Sequence, residues 1–469
     1  DSRVTDLETT VDKRTVVSLL DYPNIFPYKS TDGAGVGVPG TPEFDINFAY
    51  NNDSGPGLQV AMQDAIDRHL VLEFPANQLF YVRTPIVLYV GTDSDLGSQA
   101  DAINDHQGFV IRGNHSKIWV PQGVGATPAA WSTLNGPLIT IMGRDTIAQW
   151  NNPTTAGNSF FTSTIRDLDI YLQGHYGEDP HRDMYAQIGD PTGTNATYSD
   201  NHLFIEGWKI RRELRNITEG STLTAEGDGY YNNALVRITN ANLLTFENGS
   251  VIGGGISLEA TSGNVTGSIW IRGNDIRGPA IRKDSGSLGI GLRYAPGIED
   301  AAPNSARAIG LSAETGGQVA SVYVHENQIY YAGIGMHIEH GSSIHDVTFT
   351  GNEFDIGVDS TPFIHADIEP APSAYISEGH YYNIHIHNND LSVPWNAPAF
   401  VFEGTDSPAG SGPDWVGAGN PGFDYGYTGL VIQGNHIWSG NAYDPSNVSI
   451  DSPAFNDGGV GFSEVGRIV

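Results

Sequence analysis

The amino-acid sequence predicts a coiled β-solenoid, and three observations support that class. Residues 256–274 (ISLEATSGNVTGSIWIRGN) and 309–327 (IGLSAETGGQVASVYVHEN) repeat one pattern of strand, Gly-containing turn, strand and Asn. Shorter strand-then-Asn segments recur along the chain, and the composition of 58 Gly with only 16% charged residues suits many tight turns. Because a unit of this size cannot bury its apolar face alone, it must stack on copies of itself.

The two long copies align without a gap and therefore predict a strand register. Ile256 falls on Ile309, Leu258 on Leu311, and the closing Asn274 on Asn327. The offset of 53 residues corresponds to two turns of a solenoid or to one turn with an insertion. Both interpretations are open at this point.

The recurring asparagines are predicted to be structural. The shorter copies place an Asn at the end of a strand at five further positions: Asn114, Asn248, Asn352, Asn389 and Asn435. Asn side chains bond to nearby backbone groups and accept turn conformations. We therefore expect stacked Asn side chains to satisfy turn backbone groups rung after rung.

Composition and charge exclude several classes of protein. The 469 residues include no Cys, so neither a disulfide scaffold nor a Cys-ligated metal is expected. The net charge of −31 argues against a nucleic-acid partner, which requires a basic footprint. The sequence contains no run of 18 apolar residues, so it predicts no membrane-spanning helix. Residues 308–466 contain 19 Asp and Glu but no Lys or Arg, whereas basic residues cluster near positions 209–215 and 272–293.

The N-terminal region combines a short heptad-like pattern with an amphipathic helix. Val4, Leu7 and Val11 have a/d-like spacing. After a Pro/Gly-rich stretch, Leu58, Met62 and Ile66 share one helical face. Two strand-like runs, LVLEFPA and YVRTPIVL, follow the helix.

This order of elements resembles the start of a pectate-lyase-like right-handed parallel β-helix, and the heptad-like neck makes it similar to bacteriophage tailspike depolymerases. The resemblance implies an all-β solenoid whose short helix caps the open end. It implies a neck or linker over 1–57, a polysaccharide-cleaving β-helix over 58–440 and a C-terminal cap or tail over 441–469. It further implies a homotrimer at an extracellular or virion location, with a polysaccharide, anionic or neutral, as the partner.

The resemblance also indicates that the strand after each Asn turn and its short partner carries the active cleft. Alternation predicts two outward columns on these strands. The first predicted column consists of Glu259, Ser312, His337 and Asp367. The second consists of Thr261, Glu314, Glu339 and Glu369. Stacked carboxylates about 4.8 Å apart repel, which raises the pKa of at least one of them. A protonated acid beside an ionised one is what glycoside hydrolysis requires. The predicted catalytic residues are Glu314, Glu339, Glu369, Asp367 and His337.

Three alternatives compete with this hydrolase hypothesis. The acidic columns are also compatible with a solvated surface or with Ca²⁺ binding, although no other cofactor or metal is expected. A lyase is the second candidate activity, because Arg293 with Tyr294 or Lys283 would supply a cation and a base if GIGLRYA forms a rung. Glu259, Arg272 and Arg282 are predicted to bind substrate. The third alternative is a glycan-binding adhesin or tail stem without catalysis.

Overall fold

The structure, a computed structural model, describes most of the solenoid. The described residues are 15–28, 52–90, 107–120, 137–143, 161–175, 185–194, 201–215, 234–277, 281–282, 292–293, 307–314, 316–330, 334–338, 343–355, 364–367, 380–394, 400–403, 427–428, 430–440 and 460–463. They form one α-helix, α1 (Gly55–Asp67), a one-turn 3-10 helix (Leu19–Asp21) and 32 strands.

Sheet A contains twenty of these strands and runs along two sides of the solenoid. Its strands are β1 (Val16–Ser18), β2 (Val71–Glu73), β3 (Leu79–Tyr81), β5 (Gln107–Val120), β7 (Phe161–His175), β9 (Asn201–Glu206), β10 (Lys209–Arg215), β12 (Asn242–Glu247), β13 (Ser250–Ile252), β15 (Val265–Arg272), β16 (Asp275–Arg277), β20 (Gln318–His325), β21 (Gln328–Tyr330), β23 (Ser343–Thr350), β24 (Glu353–Asp355), β26 (His380–His387), β27 (Asp390–Pro394), β29 (Tyr427–Thr428), β30 (Val431–Gln433) and β31 (His436–Gly440).

Sheet B contains ten strands and forms the remaining side. Its strands are β4 (Ile86–Val90), β6 (Pro137–Gly143), β8 (Tyr185–Ile188), β11 (Val236–Thr239), β14 (Ile256–Ala260), β19 (Arg307–Ala313), β22 (Ile334–Ile338), β25 (Ile364–Asp367), β28 (Phe400–Glu403) and β32 (Val460–Ser463). The last two strands, β17 (Ile281–Arg282) and β18 (Leu292–Arg293), form a separate antiparallel pair.

The register of the two long repeats is as the sequence predicts. Ile256 pairs with Ile309 and Leu258 with Leu311 between β14 and β19 in sheet B. In sheet A, β15 pairs with β20 in parallel at the predicted positions. Because both copies are direct neighbours, the 53-residue offset is one turn plus an insertion rather than two turns. The predicted fold class, an all-β parallel β-helix with a short N-terminal capping helix, is confirmed.

A continuous ladder of Asn side chains runs along one corner of sheet A. The Nδ2 of Asn274 donates to Oδ1 of Asn327 at 3.0 Å, and Asn327 donates to Asn352 at 3.0 Å. The ladder continues through Asn389 to Asn435. Each side chain thus satisfies the next rung, and the predicted structural role is confirmed for these five positions.

Two of the aligned asparagines lie outside that ladder. Asn248 has φ 55° and occupies the corner one residue earlier, so that the backbone N–H of Gly249 donates to Asn274 instead. Asn114 also has a positive φ and donates to the carbonyl of Phe74. Asn accepts this left-handed conformation, which explains its recurrence at neighbouring corner positions.

Helix α1 packs against β2, β4 and β5 at the N-terminal end of the stack. Leu58, Met62 and Ile66, the face predicted from the sequence, are all buried. The helix therefore covers apolar side chains of the first rungs that no preceding rung covers.

Two strands extend the solenoid beyond the predicted domain boundaries. β1, at residues 16–18, pairs with β2 and thus joins sheet A within the region predicted to be a neck. β32, at residues 460–463, pairs with β28 within the predicted tail. The heptad-like residues Val4, Leu7 and Val11 lie outside the described residues.

Candidate functional site

The outer face of sheet B is set by strict alternation along its strands. Ile256, Leu258 and Ala260 are at most 2% exposed and belong to the core. The intervening Glu259 therefore lies on the opposite, outer face, and its register partner is Ser312. This part of the predicted first column is confirmed.

The next strand of sheet B is shifted by two residues from the predicted column. His337 pairs with Gly310 and Ile338 with Leu311, whereas the sequence alignment placed His337 beside Ser312. His337 in turn pairs with His365, not with Asp367. A shift by two residues keeps every apolar side chain on the buried face, so the hydrophobic pattern cannot detect it.

The observed register brings two acidic positions together on adjacent strands. Asp367 in β25 pairs with Glu403 in β28. Both positions have the parity of Glu259 and Ser312, because Leu311 pairs with Ile338 and Ile338 pairs with Ala366. Glu403 was not predicted as a site residue. The sequence pattern that could have identified Glu403 is the FVFE segment, whose alternation matches that of the other sheet B strands.

Two histidine positions lie beside this acidic pair. His337 and His365 are register partners on β22 and β25. His365 precedes Asp367 by two residues and therefore shares its face of the strand. The register thus places two acidic and two histidine positions on three successive strands of sheet B.

Glu314 lies at the end of β19 and bonds to the turn of the preceding rung. Its Oε2 accepts from the backbone N–H of Ser262 at 2.9 Å and from the Ser262 hydroxyl at 3.2 Å. This carboxylate is exposed, and its hydrogen bonds link the turns of two neighbouring rungs. Glu339 and Glu369, its predicted column neighbours, lie outside the described residues.

The segment predicted as the rival lyase rung is not a rung. Arg293 in β18 pairs in antiparallel fashion with Ile281 in β17, and this pair belongs to neither large sheet. β14 pairs directly with β19, so no strand intervenes between them. The step that would have placed Arg293 beside the acidic columns is therefore wrong. Lys283 and Tyr294 lie outside the described residues.

The three predicted substrate-binding residues lie on three different elements. Glu259 belongs to β14 of sheet B, Arg272 to β15 of sheet A, and Arg282 to β17. The Nε of Arg272 forms an ion pair with Glu247 on the neighbouring strand of sheet A. The structure thus does not bring these three residues together on one surface.

Earlier rungs of sheet B carry polar residues that sequence reasoning missed. Gln187, Arg237 and Ser257 are successive register partners on β8, β11 and β14. The Arg237 guanidinium lies over the ring of Tyr185 at 4.3 Å from its centroid. The alternation of apolar and polar residues in YAQI and VRIT could have identified Gln187 and Arg237. However, both segments are only four residues long and follow regions without a recognisable repeat.

The polar residues of this region have very low exposure for an outer face. Gln187, Thr239 and Ser257 are 1%, 2% and 3% exposed. Ser257 Oγ donates to Glu259 Oε1 at 2.5 Å. Thr239, the register partner of Glu259, has a buried Oγ1 without a hydrogen-bond partner within the described part of the chain.

A hydrogen-bonded turn fixes the end of these strands. The Nδ2 of Asn240 donates to the carbonyl of Asp190 at 2.6 Å, and its Oδ1 accepts from the N–H of Thr261 at 2.9 Å. Gly189, at φ 93°, approaches so closely that an added Cβ would lie 1.8 Å from the carbonyl oxygen of Thr239. The turn therefore positions Thr239 and Glu259 through short backbone contacts.

The described residues contain neither a cluster of potential metal ligands nor a membrane-spanning helix. No group of three or more His, Asp or Glu side chains is close enough in them to hold a metal ion. Within the same residues, no helix is sufficiently long and apolar to cross a membrane.

Comparisons with known proteins match solved structures at low sequence identity. No family model matches the sequence, and no curated protein matches it significantly. An endo-xylogalacturonan hydrolase from Aspergillus tubingensis is 10% identical, with a TM-score of 0.38 over 91% of this chain and 99% of that one. A surface adhesin of Streptococcus pneumoniae is 10% identical, with a TM-score of 0.33 over 83% of each chain. A tailspike protein of an E. coli bacteriophage, in complex with a pentasaccharide, is 12% identical, with a TM-score of 0.38 over 93% of this chain and 64% of that one.

Proposed function

We propose that the protein is a polysaccharide depolymerase that binds a microbial surface or extracellular glycan on the outer face of sheet B and hydrolyses it there. The observation that carries this proposal is the pairing of Asp367 with Glu403 on adjacent strands. Cα positions on adjacent strands are about 4.8 Å apart, which suits two carboxyl groups at a retaining separation of about 5 Å. One carboxylic acid would protonate the leaving oxygen and the other carboxylate would attack the anomeric carbon.

The electrostatics of the Asp367–Glu403 pair favour these two different roles for its carboxyl groups. Two ionised carboxylates at such a spacing would repel each other, which favours one protonated and one ionised group in the pair. His337 and His365 would orient or relay protons beside the pair. Asp367 and His337 are retained from the sequence prediction, and Glu339 and Glu369 remain candidate carboxylates. Glu314 receives a positioning role because its carboxylate bonds to Ser262.

The earlier rungs would bind the glycan chain away from the cleaved bond. Arg237 and Glu259, which are partly exposed on this face, offer a donor and an acceptor to sugar hydroxyls. The Arg237 guanidinium over Tyr185 would suit an anionic sugar. A polymer spanning both regions would cross six strands of sheet B, from β11 to β28.

A lyase is the second candidate, and one observation favours it. β-Elimination from a uronate needs a cation near the substrate carboxylate and a base for the C5 proton. Arg237 and Tyr185 provide these groups in contact on the same face of sheet B. They replace Arg293 and Tyr294 in this alternative.

The proposed setting is extracellular, with a phage tailspike as the most specific version. In that version the protein is a homotrimer, and its mass by light scattering would be three times the chain mass of 50.3 kDa. A monomer would leave the depolymerase proposal intact but contradict the tailspike setting. A glycan-binding adhesin is the outcome if binding occurs without cleavage.

The experiment that tests the proposal is a cleavage assay on a panel of acidic and neutral bacterial and algal polysaccharides. Reducing ends and the absorbance of unsaturated uronates are followed together. New reducing ends without absorbance support hydrolysis, whereas a parallel rise of both supports the lyase. Glycan binding without either signal contradicts both enzyme proposals and supports the adhesin.

A further inference from the structure

A row of aromatic rings lies on the outer face of sheet A, on a different sheet from the proposed cleavage site. Phe204, Thr245 and Trp270 are successive register partners on β9, β12 and β15. Tyr323 follows on β20 and stacks on Trp270 with a centroid distance of 5.7 Å and an interplanar angle of 9°. The row is thus interrupted by one small residue, Thr245.

The chain fills that interruption with a ring of its own. His202 stacks on Phe204 at 4.2 Å and on Trp270 at 5.4 Å, and therefore lies between them. Its Nε2 is 2.8 Å from the Oγ1 of Thr245, which forms the floor of the gap. The gap between Phe204 and Trp270 is two strand spacings wide, about 9.6 Å. It therefore accommodates one inserted ring whose polar atom points at the Thr245 hydroxyl.

The same arrangement of ring, Thr and ring occurs a second time in the same row. Tyr323, Thr348 and His385 are successive register partners on β20, β23 and β26. Tyr323 is 37% exposed and His385 is exposed. No described residue places a ring against Tyr323 on this side. The second gap spans the same two strand spacings as the first, and the side chains of its two walls are exposed.

Polar groups surround the second gap on both sides. On one side, Asn383 donates to Oδ1 of Asp346 at 2.9 Å, and the bond helps to hold the pKa of Asp346 below its usual value. On the other side, Thr350 Oγ1 is 3.0 Å from Nδ1 of His387. A ring bound here therefore meets an ionised carboxylate and hydroxyl or imidazole groups around its edge.

We propose that the gap between Tyr323 and His385 is a second carbohydrate-binding site that takes one sugar ring of a glycan chain. A sugar ring has apolar C–H faces for Tyr323 and His385, and hydroxyl groups at its edge for Thr348, Asp346 and Thr350. An aromatic side chain from a second copy would fill the gap but leave this polar edge without partners. The site would hold a polymer on the solenoid independently of the sheet B face.

The test measures binding to dextran, xylan, pectin and alginate by affinity gel electrophoresis. Thr348→Trp fills the gap with an intramolecular ring, and Tyr323→Ala removes one wall. Each variant should weaken the apparent affinity for a retarding polymer by about fivefold to tenfold, in keeping with the energy of a ring contact. Val265→Trp, at a 48% exposed position of the same sheet, is the matched control and should bind like the original chain.

Three results would overturn the proposal. The first is unchanged retardation of both gap variants, and the second is retardation of no chain by any of the four polymers. The third is a change of sedimentation for Thr348→Trp with unchanged retardation, which would identify a second copy of the chain as the occupant. Since the assay measures binding alone, its outcome does not depend on whether the sheet B face cleaves glycan.

Discussion

The outer faces of sheets A and B carry the same residue types but use them differently. Sheet A also pairs two acidic positions on adjacent strands, Glu353 with Asp390, and there Asp390 is close to His436, at 3.2 Å. On sheet A charged groups pair with one another, as in the Arg272–Glu247 ion pair, and aromatic rings stack, as Trp270 does on Tyr323. Sheet B carries nearly buried polar side chains on its outer face. An acidic pair alone therefore does not distinguish the two faces, which differ in the nearly buried polar side chains on strands β8, β11 and β14 of sheet B.

The largest expected difference between the two faces concerns catalysis. Asp367→Asn and Glu403→Gln should each lower the cleavage rate by about 10²-fold to 10⁴-fold, because each removes an acid, base or nucleophile. The matched controls Glu353→Gln and Asp390→Asn should retain full activity. Initial rates of reducing-end formation measure the effect, and equal losses in both pairs would abolish the distinction between the faces.

The second difference concerns stability, which we expect to depend on the Asn corner of sheet A. Asn327→Ala removes side-chain bonds to Asn274, Asn352 and the carbonyl of Ile271, and leaves buried partners unsatisfied. The free energy of unfolding should fall by about 3 to 5 kcal/mol. Asn248 lies outside the ladder, so Asn248→Gly should change the free energy of unfolding, measured with denaturant, by less than about 0.5 kcal/mol. A small loss for Asn327→Ala would show that the ladder is not a stabilising element.

The third prediction sharpens the role of the turn behind sheet B. Gly189→Ala forces a Cβ against the Thr239 carbonyl and should lower the free energy of unfolding by more than about 2 kcal/mol. Gly263→Ala is the comparison, since its φ is also positive but no atom lies within 4 Å of the added Cβ. That variant should lose about 1 to 2 kcal/mol. Similar losses in thermal or denaturant unfolding would mean that the close approach is relieved easily.

The smallest effect should be a pH dependence from sheet A. Burial lowers the pKa of the His202 imidazole below its usual value, with Glu247 opposing and Arg272 supporting the shift. The unfolded chain then binds a proton near pH 6.5 that the folded chain resists, so the stability decreases as the pH falls below about 6.5. His202→Gln should flatten the melting temperature between pH 5 and 7. The same slope in both proteins would exclude His202 as its source.

The sequence predicted the fold well wherever two rungs have the same turn lengths. The copies at 256–274 and 309–327 align residue by residue, and every core position in β14 and β19 followed from that alignment. Helix α1 followed equally directly from its apolar face. In these regions one periodic pattern determines both the element and its register.

The candidate site was harder to predict because the pattern of a strand fixes its face but not its register. A two-residue shift of β22 moved His337 from Ser312 to Gly310 without exposing an apolar side chain. The insertion that contains Arg293 was ambiguous for a different reason, since a short apolar run suits a rung and a hairpin equally. Arg237 and Glu403 were missed because their strands lack the repeated Gly turn that marked the other copies.

The most direct test of the sheet B account is a crystal structure of the Glu403→Gln variant with a bound oligosaccharide from a polymer that the original chain cleaves. We expect sugar rings along the outer face of sheet B, with a glycosidic oxygen within hydrogen-bonding distance of the Asp367 side chain or the Gln that replaces Glu403. Oligosaccharide bound only on sheet A, or at the β17–β18 pair, would contradict the account.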